Sequence, residues 1–589
     1  MSKLLKVFLL SLCLLLVISV FVACEDGSAD NGDQPEATTD GSENTPPAEI
    51  AETVKFSAVD QKADNGKILV DFNIPAAVAA KYKSVEVEVY HGDYIVAATT
   101  VNANHLSAIV NGTYGKLNLK LVGVAEDSAK TVLAEDAVNV WADEYNFAPL
   151  NATFPVTYFT LDLFSMGEDK LPGEFVASSK NLPIMADAPT FVSLERAVAY
   201  SWDNLPENVF ELPNVSPEMK NPQASNYQTL WHERNTAMAR YIKELYEINP
   251  DSFFNMYCVD NFPDLILKLF YANGIPEKNF HATMISDGTG TAAIFSQTFG
   301  GENAEEVCQK MEEEWLRLKA AAIAGEDYFA GGVYNQYHVH LVLAKYPMVI
   351  ASLEDNVDWW CSRDLFAKDL YSGDEIEPTV YARITALKDE GKLKFFGIND
   401  MLKILDEEQQ AALKKLFHFD SDMFSAAEES KKEALVIIGT NMSYEALERY
   451  VKLTSKLYGD DYVIYYKGHP GYPVDTNEQI MQLFDTYGVI NLDASIAAEL
   501  ILFYCPDIYL VGWTSTTFKS VQTDRFLAVF EKDEETYDRE ANAQGYGDDP
   551  DYYCTYTGDG YIKIESDADN SVRYYDIANH TIVDTIPSN

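Results

Sequence analysis

Twice along this chain, short apolar runs alternate with amphipathic helical stretches, the pattern of strands joined by crossover helices in an α/β unit. In the first series "NYQTLWHERNTAMARYIKELYEI" precedes "SFFNMYCV", and "PDLILKLFYANG" precedes "FHATMIS". In the second, "ALVIIGT", "YEALERYVKLTSKLYG", "DYVIYYK", "NEQIMQLFDTYG", "IAAELILFY" and "DIYLVGW" follow one another. A helix-rich segment over about 303–425, with "AEEVCQKMEEEWLRLKAAAIAG" and "DEEQQAALKKLF", lies between them. Two such units in tandem imply a cleft between them.

The texture ahead of these units is different. From about 52 to 150 short alternating runs ("VKFSAV", "KILVDFNI", "SVEVEVYH", "YIVAATTV", "KLNLKLVGV", "DAVNVWA") recur between turn residues, which predicts an antiparallel sandwich. No constellation of polar residues suited to chemistry stands out there. Residues 1–24 carry Lys3 and Lys6, an apolar stretch from Val7 to Val22, and then Ala23-Cys24. That order fits an export signal. The end "FVAC" resembles a bacterial lipoprotein box, whose cysteine is lipidated after cleavage; an uncleaved membrane anchor is the alternative, and either tethers the body outside the inner leaflet. Residues 25–50 are acidic and rich in Gly, Ser, Thr and Pro, too poor in apolar side chains to repay ordering. The segment from about 526 is rich in tyrosine and acid, with hairpin-like runs, and no role is assigned to it.

At 589 residues and 47% hydrophobic, the chain can bury several cores. Its 44 basic and 92 acidic residues leave a net charge of −48, which repels phosphate backbones and excludes nucleic acid as a partner. None of the seven cysteines stands in a C-x-x-C pair, so neither a zinc site nor a redox motif is supported. Beyond Cys13 and Cys24 the remaining five read as small core residues.

In open parallel sheets, ligands gather beyond the carboxyl ends of strands. Past "ATMIS" comes Asp287-Gly288-Thr289, and past "LVIIG" comes Thr440-Asn441. Past "VIYYK" comes Gly468-His469-Pro470, and past "YLVGW" come Thr514 to Thr517. Asp-Gly also makes turns, a hydroxyl run also caps helices, and Gly-His-Pro also makes a rigid strand exit. Their common placement on one rim favours a site.

This combination resembles the bacterial sialyltransferases of glycosyltransferase family 80, of the Pasteurella and Photobacterium type. The resemblance rests on Ser286-Asp287-Gly288, Lys467-Gly468-His469-Pro470, Glu499 within "SIAAELILFYCPDIYLVG", Ser515-Thr516 and the segment "LDEEQQAALKKLFHFDSDMF", and covers roughly 155–525. It implies an α/β fold of two Rossmann-like domains in the glycosyltransferase-B architecture, preceded here by an all-β immunoglobulin-like sandwich. The boundaries are then a lipoprotein signal peptide at 1–23, an acidic linker at 24–50 and the sandwich at 51–152. An acceptor domain at 153–410, a CMP-donor domain at 411–525 and a C-terminal segment at 526–589 complete the chain.

The resemblance also implies inverting transfer of sialic acid from CMP-sialic acid to a galactoside hydroxyl, with no cofactor and no metal. Asp287 would be the general base and His469 would assist the CMP leaving group. Gly439, Thr440, Lys467, Gly468, Pro470, Glu499, Ser515 and Thr516 would bind the donor, Glu499 at the ribose hydroxyls and Ser515-Thr516 at the phosphate. Asn261 and Tyr444 would face the acceptor. Departures concentrate on the acceptor side: Asn261 stands where the family has histidine, and Ser443 or Tyr444 where it has tryptophan. Ser286 replaces the first acid of an acidic pair and Gly471 an arginine. The implied partners are CMP-sialic acid, a galactoside-containing glycan and a membrane, through lipid on Cys24, with the protein a monomer exported to the bacterial cell envelope. Two alternatives are another CMP-activated acidic sugar as donor, and a catalytically silent surface carbohydrate-binding protein.

Overall fold

The computed structural model describes residues 53–151, 153–165, 188–195, 207–213, 227–286, 289–299, 303–326, 343–361, 378–395, 398–439, 444–469, 474–513, 525–530, 541–542, 552–556, 561–566, 572–576 and 581–586. Its first part is β but for one short helix, Ala76–Ala79. Strands β1 (Lys55–Ser57), β3 (Lys67–Asn73) and β6 (Ser107–Asn111) form one antiparallel sheet. Strands β2 (Gln61–Lys62), β8 (Lys130–Trp141), β7 (Gly115–Val124), β4 (Ser84–His91) and β5 (Tyr94–Val101) form the other, in that spatial order. Alternation decides which side chains meet: Ile68, Val70 and Phe72 of β3 join Val85, Val87 and Val89 of β4 and Leu117, Leu119 and Leu121 of β7 in one core.

The next strand, β9 (Glu144–Asn151), leaves this part after only two residues. The expected sandwich, 51–152, includes it; it is instead the pivot of a seven-stranded sheet ordered β11-β10-β9-β12-β13-β14-β15, parallel throughout. The others are β10 (Thr190–Glu195), β11 (Val209–Glu211), β12 (Phe253–Val259), β13 (Phe280–Ile285), β14 (Val357–Cys361) and β15 (Leu393–Phe395). In chain order this is 3-2-1-4-5-6-7, the doubly wound arrangement. Strands β14 and β15 lie within the stretch read as helix-rich.

Helices cover both faces, so the strands are apolar on both. Phe254, Met256 and Cys258, with Phe280, Ala282 and Met284, pack with residues of the helices Tyr227–Ile248, Asp264–Leu269 and Ala304–Ile323. On the other face Tyr257, Val259, Ile285 and Trp360 pack with residues of Thr153–Ser165, Ile398–Ile404 and Glu407–Leu416. Toward the amino ends of the strands this second face turns polar: Thr190, Asn146, Asn255, His281, Asp358 and Lys394 form a buried row across six strands. Asn146 Nδ2 donates to Thr190 Oγ1 at 3.1 Å, Asn255 Nδ2 to Asn146 Oδ1 at 3.2 Å and Lys394 Nζ to Asp358 Oδ2 at 2.7 Å. His281 Nε2 lies 3.6 Å from the same Asp358 oxygen.

The second sheet is ordered β18-β17-β16-β19-β20-β21. Its strands are β16 (Glu433–Ile438), β17 (Tyr462–Lys467), β18 (Ile490–Leu492), β19 (Tyr509–Trp513), β20 (Phe526–Phe530) and β21 (Ala541–Asn542), with only β21 antiparallel. The first five again read 3-2-1-4-5. Its boundaries differ from the expected ones at both ends. The helix Glu407–Leu416 spans residue 410 and packs, through Leu413 and Leu416, in a core with the first sheet, while β20 carries the sheet past 525. Beyond it β22 (Tyr552–Tyr556), β23 (Tyr561–Ser566), β24 (Val572–Asp576) and β25 (Thr581–Val583) make a separate antiparallel sheet.

The helix Ala498–Tyr504 belongs to both cores. Leu500, with Ala497 before it, packs with the first sheet's cluster, while Ile501 and Leu502 pack in a core beneath the second sheet. Its carboxyl end is held by Arg525, whose guanidinium donates to Leu502 O, Cys505 O and Ile508 O at 3.0, 2.8 and 3.1 Å. Carbonyls left over at a helix end are a natural place for such a cation.

Candidate active site

Strand order fixes where each sheet opens. In the second sheet the winding reverses between β16 and β19, and the carboxyl ends there are where a doubly wound sheet receives a ligand. Strand β16 runs into Gly439, whose N–H donates to Lys467 O at 2.9 Å. A Cβ on Gly439 would run into the Tyr466 hydroxyl and ring, so a larger residue here would have to displace that buried side chain.

Lys467 ends β17 and is buried. Its Nζ donates to Gly468 O at 2.8 Å and Ala494 O at 2.9 Å. Burial pushes this ammonium down to about 8, while the charges of Glu499 and Asp493 oppose the shift. The head group thus braces two loops by their backbones. Glu499 is buried in the first turn of Ala498–Tyr504. Gly439, Lys467, Gly468, His469 and the segment 493–499 therefore meet at one rim, although the sequence spreads them over 60 residues. Gly468 is buried and His469 half-buried. Tyr444 opens the helix Tyr444–Tyr458 and packs against the core of this second unit. Asp287, Thr440, Pro470, Ser515, Thr516 and Cys24 lie outside the described residues.

The first sheet reverses between β9 and β12, and β12 runs directly into Asp260 and Asn261. Asp260 is buried; its N–H donates to Ile285 O at 2.9 Å, and its Oδ2 accepts from Thr291 Oγ1 at 2.8 Å and Trp359 Nε1 at 3.1 Å. Asn261 beside it is half-buried. Ser286, at the end of β13, is buried, and its N–H donates to Trp360 O at 2.8 Å. Among the described residues its hydroxyl meets no partner.

Four residues on this rim escaped sequence reading. Asp260 had a usable signal, since it directly follows the apolar run "SFFNMYCV", and the strand-end rule applies to it as to Asp287. Trp231 and Asn235 sit one turn apart inside a long amphipathic helix, where nothing marks them. The Trp231 ring packs on Phe262 at 4.4 Å between centroids, and its Nε1 and both amide atoms of Asn235 are buried without partners among the described residues. Asp264 opens the helix Asp264–Leu269, with Oδ1 likewise unpartnered.

Burial pushes the Asp264 carboxyl up to about 6, against the pull of Lys268. A folded-state value above the unfolded one means that this group favours the fold when protonated, and that the contribution is lost as pH rises through 6. Asp264→Asn should therefore be more stable than the wild type at pH 8, by about 1–3 kcal/mol, with the gain fading toward pH 4. Thermal melts of both proteins across that range check the sign.

No protein-family model matches the chain, and no curated protein does. Among solved structures, the sialyltransferase of Photobacterium damsela is similar over 80% of this chain and 91% of its own, at 15% identity and a TM-score of 0.44. The 2,6-sialyltransferase of Photobacterium sp. JT-ISH-224, in a ternary complex with CMP and lactose, is similar over 80% of this chain and 87% of its own, at 13% identity and a TM-score of 0.46. The α/β-galactoside α-2,3-sialyltransferase of Photobacterium phosphoreum is similar over 64% of this chain and 88% of its own, at 11% identity and a TM-score of 0.44. The strand order and register of the two sheets define a protein with two doubly wound α/β units, each gathering polar residues at its strand ends.

Proposed function

We propose that the chain is an inverting sialyltransferase that moves sialic acid from CMP-sialic acid to a hydroxyl of a galactoside-type acceptor. The observation that carries the reading is the meeting of Lys467, Gly468, His469 and Glu499 on the rim of the second sheet, where Lys467 ties its own loop to Ala494. Residues that the resemblance pairs as one donor site are thereby neighbours. In the reaction the acceptor oxygen attacks the anomeric carbon, Asp287 takes its proton, and the bond from that carbon to the phosphate oxygen breaks. His469 donates to the departing phosphate, and Glu499 accepts from the ribose hydroxyls. Ser515 and Thr516 hold the phosphate, Thr440 and Pro470 line the donor, and Asn261 and Tyr444 face the acceptor. Lys467 acts one step back, by holding the loops.

Incubation with CMP-sialic acid and a panel of galactosides tests the reading. CMP and a sialylated product should form in equal amounts; neither forming would overturn it. We also assign the sandwich to the immunoglobulin-like class and the body to the cell envelope, as a monomer anchored by lipid on Cys24. Mass spectrometry of the membrane-extracted protein should find a modified Cys24 at its amino terminus. An intact Met1 would overturn the lipid anchor and leave the uncleaved one.

A further inference from the structure

We propose that the cavity at the seam between the sandwich and the helix Tyr227–Ile248 is a carbohydrate-binding site apart from the rim, which takes one neutral pyranose unit. The inference goes beyond the transfer reaction and does not depend on it. The cavity has a volume of about 390 Å³, with Lys116 and Asn118 of β7, Ala137 and Asn139 of β8, Asp60 ahead of β2 and Glu244 of the helix in its walls. Strand register shapes it. Asn118 pairs with Ala137 and Lys116 with Asn139, which puts all four on one face of the sheet. Ala137 is exposed and carries only a methyl group among longer neighbours, and the depression opens over it. Glu244 and Asn235, the latter on the first sheet's rim, stand on one helix about 14 Å apart along its axis, so a ring in the cavity is not the one at the rim.

The polar groups are held in place by one another. Glu244 Oε1 lies 2.8 Å from His91 Nε2 and accepts from Lys116 N–H at 2.7 Å. Beside them Gly115 has φ +109°, and a Cβ there would run into both the carboxylate and the His91 ring. Burial works to raise the Glu244 carboxyl, but the hydrogen bonds from His91 and Lys116 N–H outweigh it and hold the group below its ordinary range. Toward β2, Asp60 accepts from Asn139 N–H at 2.7 Å and from Asn139 Nδ2 at 2.9 Å. That clamp turns the amide nitrogen of Asn139 to Asp60 and leaves its Oδ1 as an acceptor. Each charge has a partner: Glu244 has His91, Asp60 has Asn139, and Lys116 Nζ lies 3.3 Å from Glu247. An ionic ligand would have to displace one of these. A sugar hydroxyl, which both donates and accepts, meets the amides of Asn118 and Asn139 and the Lys116 ammonium without displacing any. The volume stands near the lower end of ligand sites, about 300–1,000 Å³, which suits one ring rather than a chain.

Saturation-transfer NMR titrations of the full chain with the methyl glycosides of galactose, glucose, mannose and N-acetylglucosamine, without CMP-sialic acid, test the site. At least one should bind with a Kd in the millimolar range. Ala137→Leu fills the depression from an exposed position, and Asn118→Ala removes an exposed amide; each should raise that Kd by about tenfold. The melting temperature of both variants should stay within a few degrees of the wild type. Asn261→Ala, on the rim, should leave the Kd unchanged. Methyl glucuronide, which adds a carboxylate to the glucose ring, should bind more weakly than methyl glucoside by about fivefold or more. No binding by any of the four glycosides would overturn the inference. So would a Kd that Asn261→Ala raises and the two cavity variants leave alone, because the sugar would then sit at the rim. Tighter binding of the glucuronide would overturn the choice of a neutral ring. Should the wild type transfer no sialic acid, the proposed function fails, and the titrations still decide whether the cavity holds a sugar.

Discussion

Asp287→Asn is expected to bind CMP as the wild type does and to turn over about 10²–10⁴-fold more slowly. Amide and carboxylate are nearly the same size, so the substitution leaves the shape of the rim intact. Only the carboxylate can take the acceptor proton as the new glycosidic bond forms. In the proposed function the donor would be held on the other sheet, by residues that meet around Lys467 and Ala494, so its affinity would be insulated from the change. Calorimetry with CMP and initial rates measure the two halves separately. Full turnover in the variant would take Asp287 out of the mechanism.

His469→Ala should keep the fold and lower transfer by about 10²–10³-fold, the loss of a hydrogen bond worth about 2–4 kcal/mol as charge builds on the leaving phosphate. The loop has its own support, since the Lys467 ammonium holds Gly468 O and Ala494 O whatever stands at 469. The imidazole can therefore be removed without releasing the backbone beneath it. A sialic acid donor with a much better leaving group than CMP should recover most of the lost rate. Equal fractional loss with both donors, together with a lowered melting temperature, would make His469 a packing residue.

Much of this arrangement is legible in the sequence, because a buried parallel strand announces itself by its apolar run. "SFFNMYCV", "FHATMIS", "DYVIYYK" and "DIYLVGW" contain the strands they suggest, and "ALVIIGT" holds all of β16 but Glu433. What escaped has physical causes. Strand β14, "VDWWC", and β15, "LKF", are too short to stand out among helices, and Asp358 and Lys394 break their apolar pattern. Those charges are tolerated because they meet each other and His281 in the buried row. Strand β9 was misplaced because its alternation continues from β8 with hardly a break. The reversal points of the two sheets are invisible in any single segment, since they depend on which strands become neighbours. Asp260 is different, since the strand-end rule applies to it from sequence alone, whereas the nearness of Lys467 to the segment before Glu499 is a property of the folded rim alone.

The two residues between β8 and β9 carry a further consequence. Ala142 is buried, its N–H donates to the Tyr145 hydroxyl at 2.7 Å, and its carbonyl accepts from Ser252 Oγ at 2.8 Å. Nearby, Tyr114 of the sandwich packs edge-on against Tyr145 and Phe210, and Phe191 packs against Phe147 and Tyr241. The Tyr241 hydroxyl donates to Tyr114 O at 3.0 Å, and His91 and Glu244 share a bond of 2.8 Å across the same seam. Nothing here resembles a hinge. A gene shortened to begin at β9 would make a protein whose pivotal strand opens onto water through a wall of aromatic rings, so the sandwich cannot be shed as an accessory. For anyone expressing the two α/β units, the sandwich from β1 onward belongs with them.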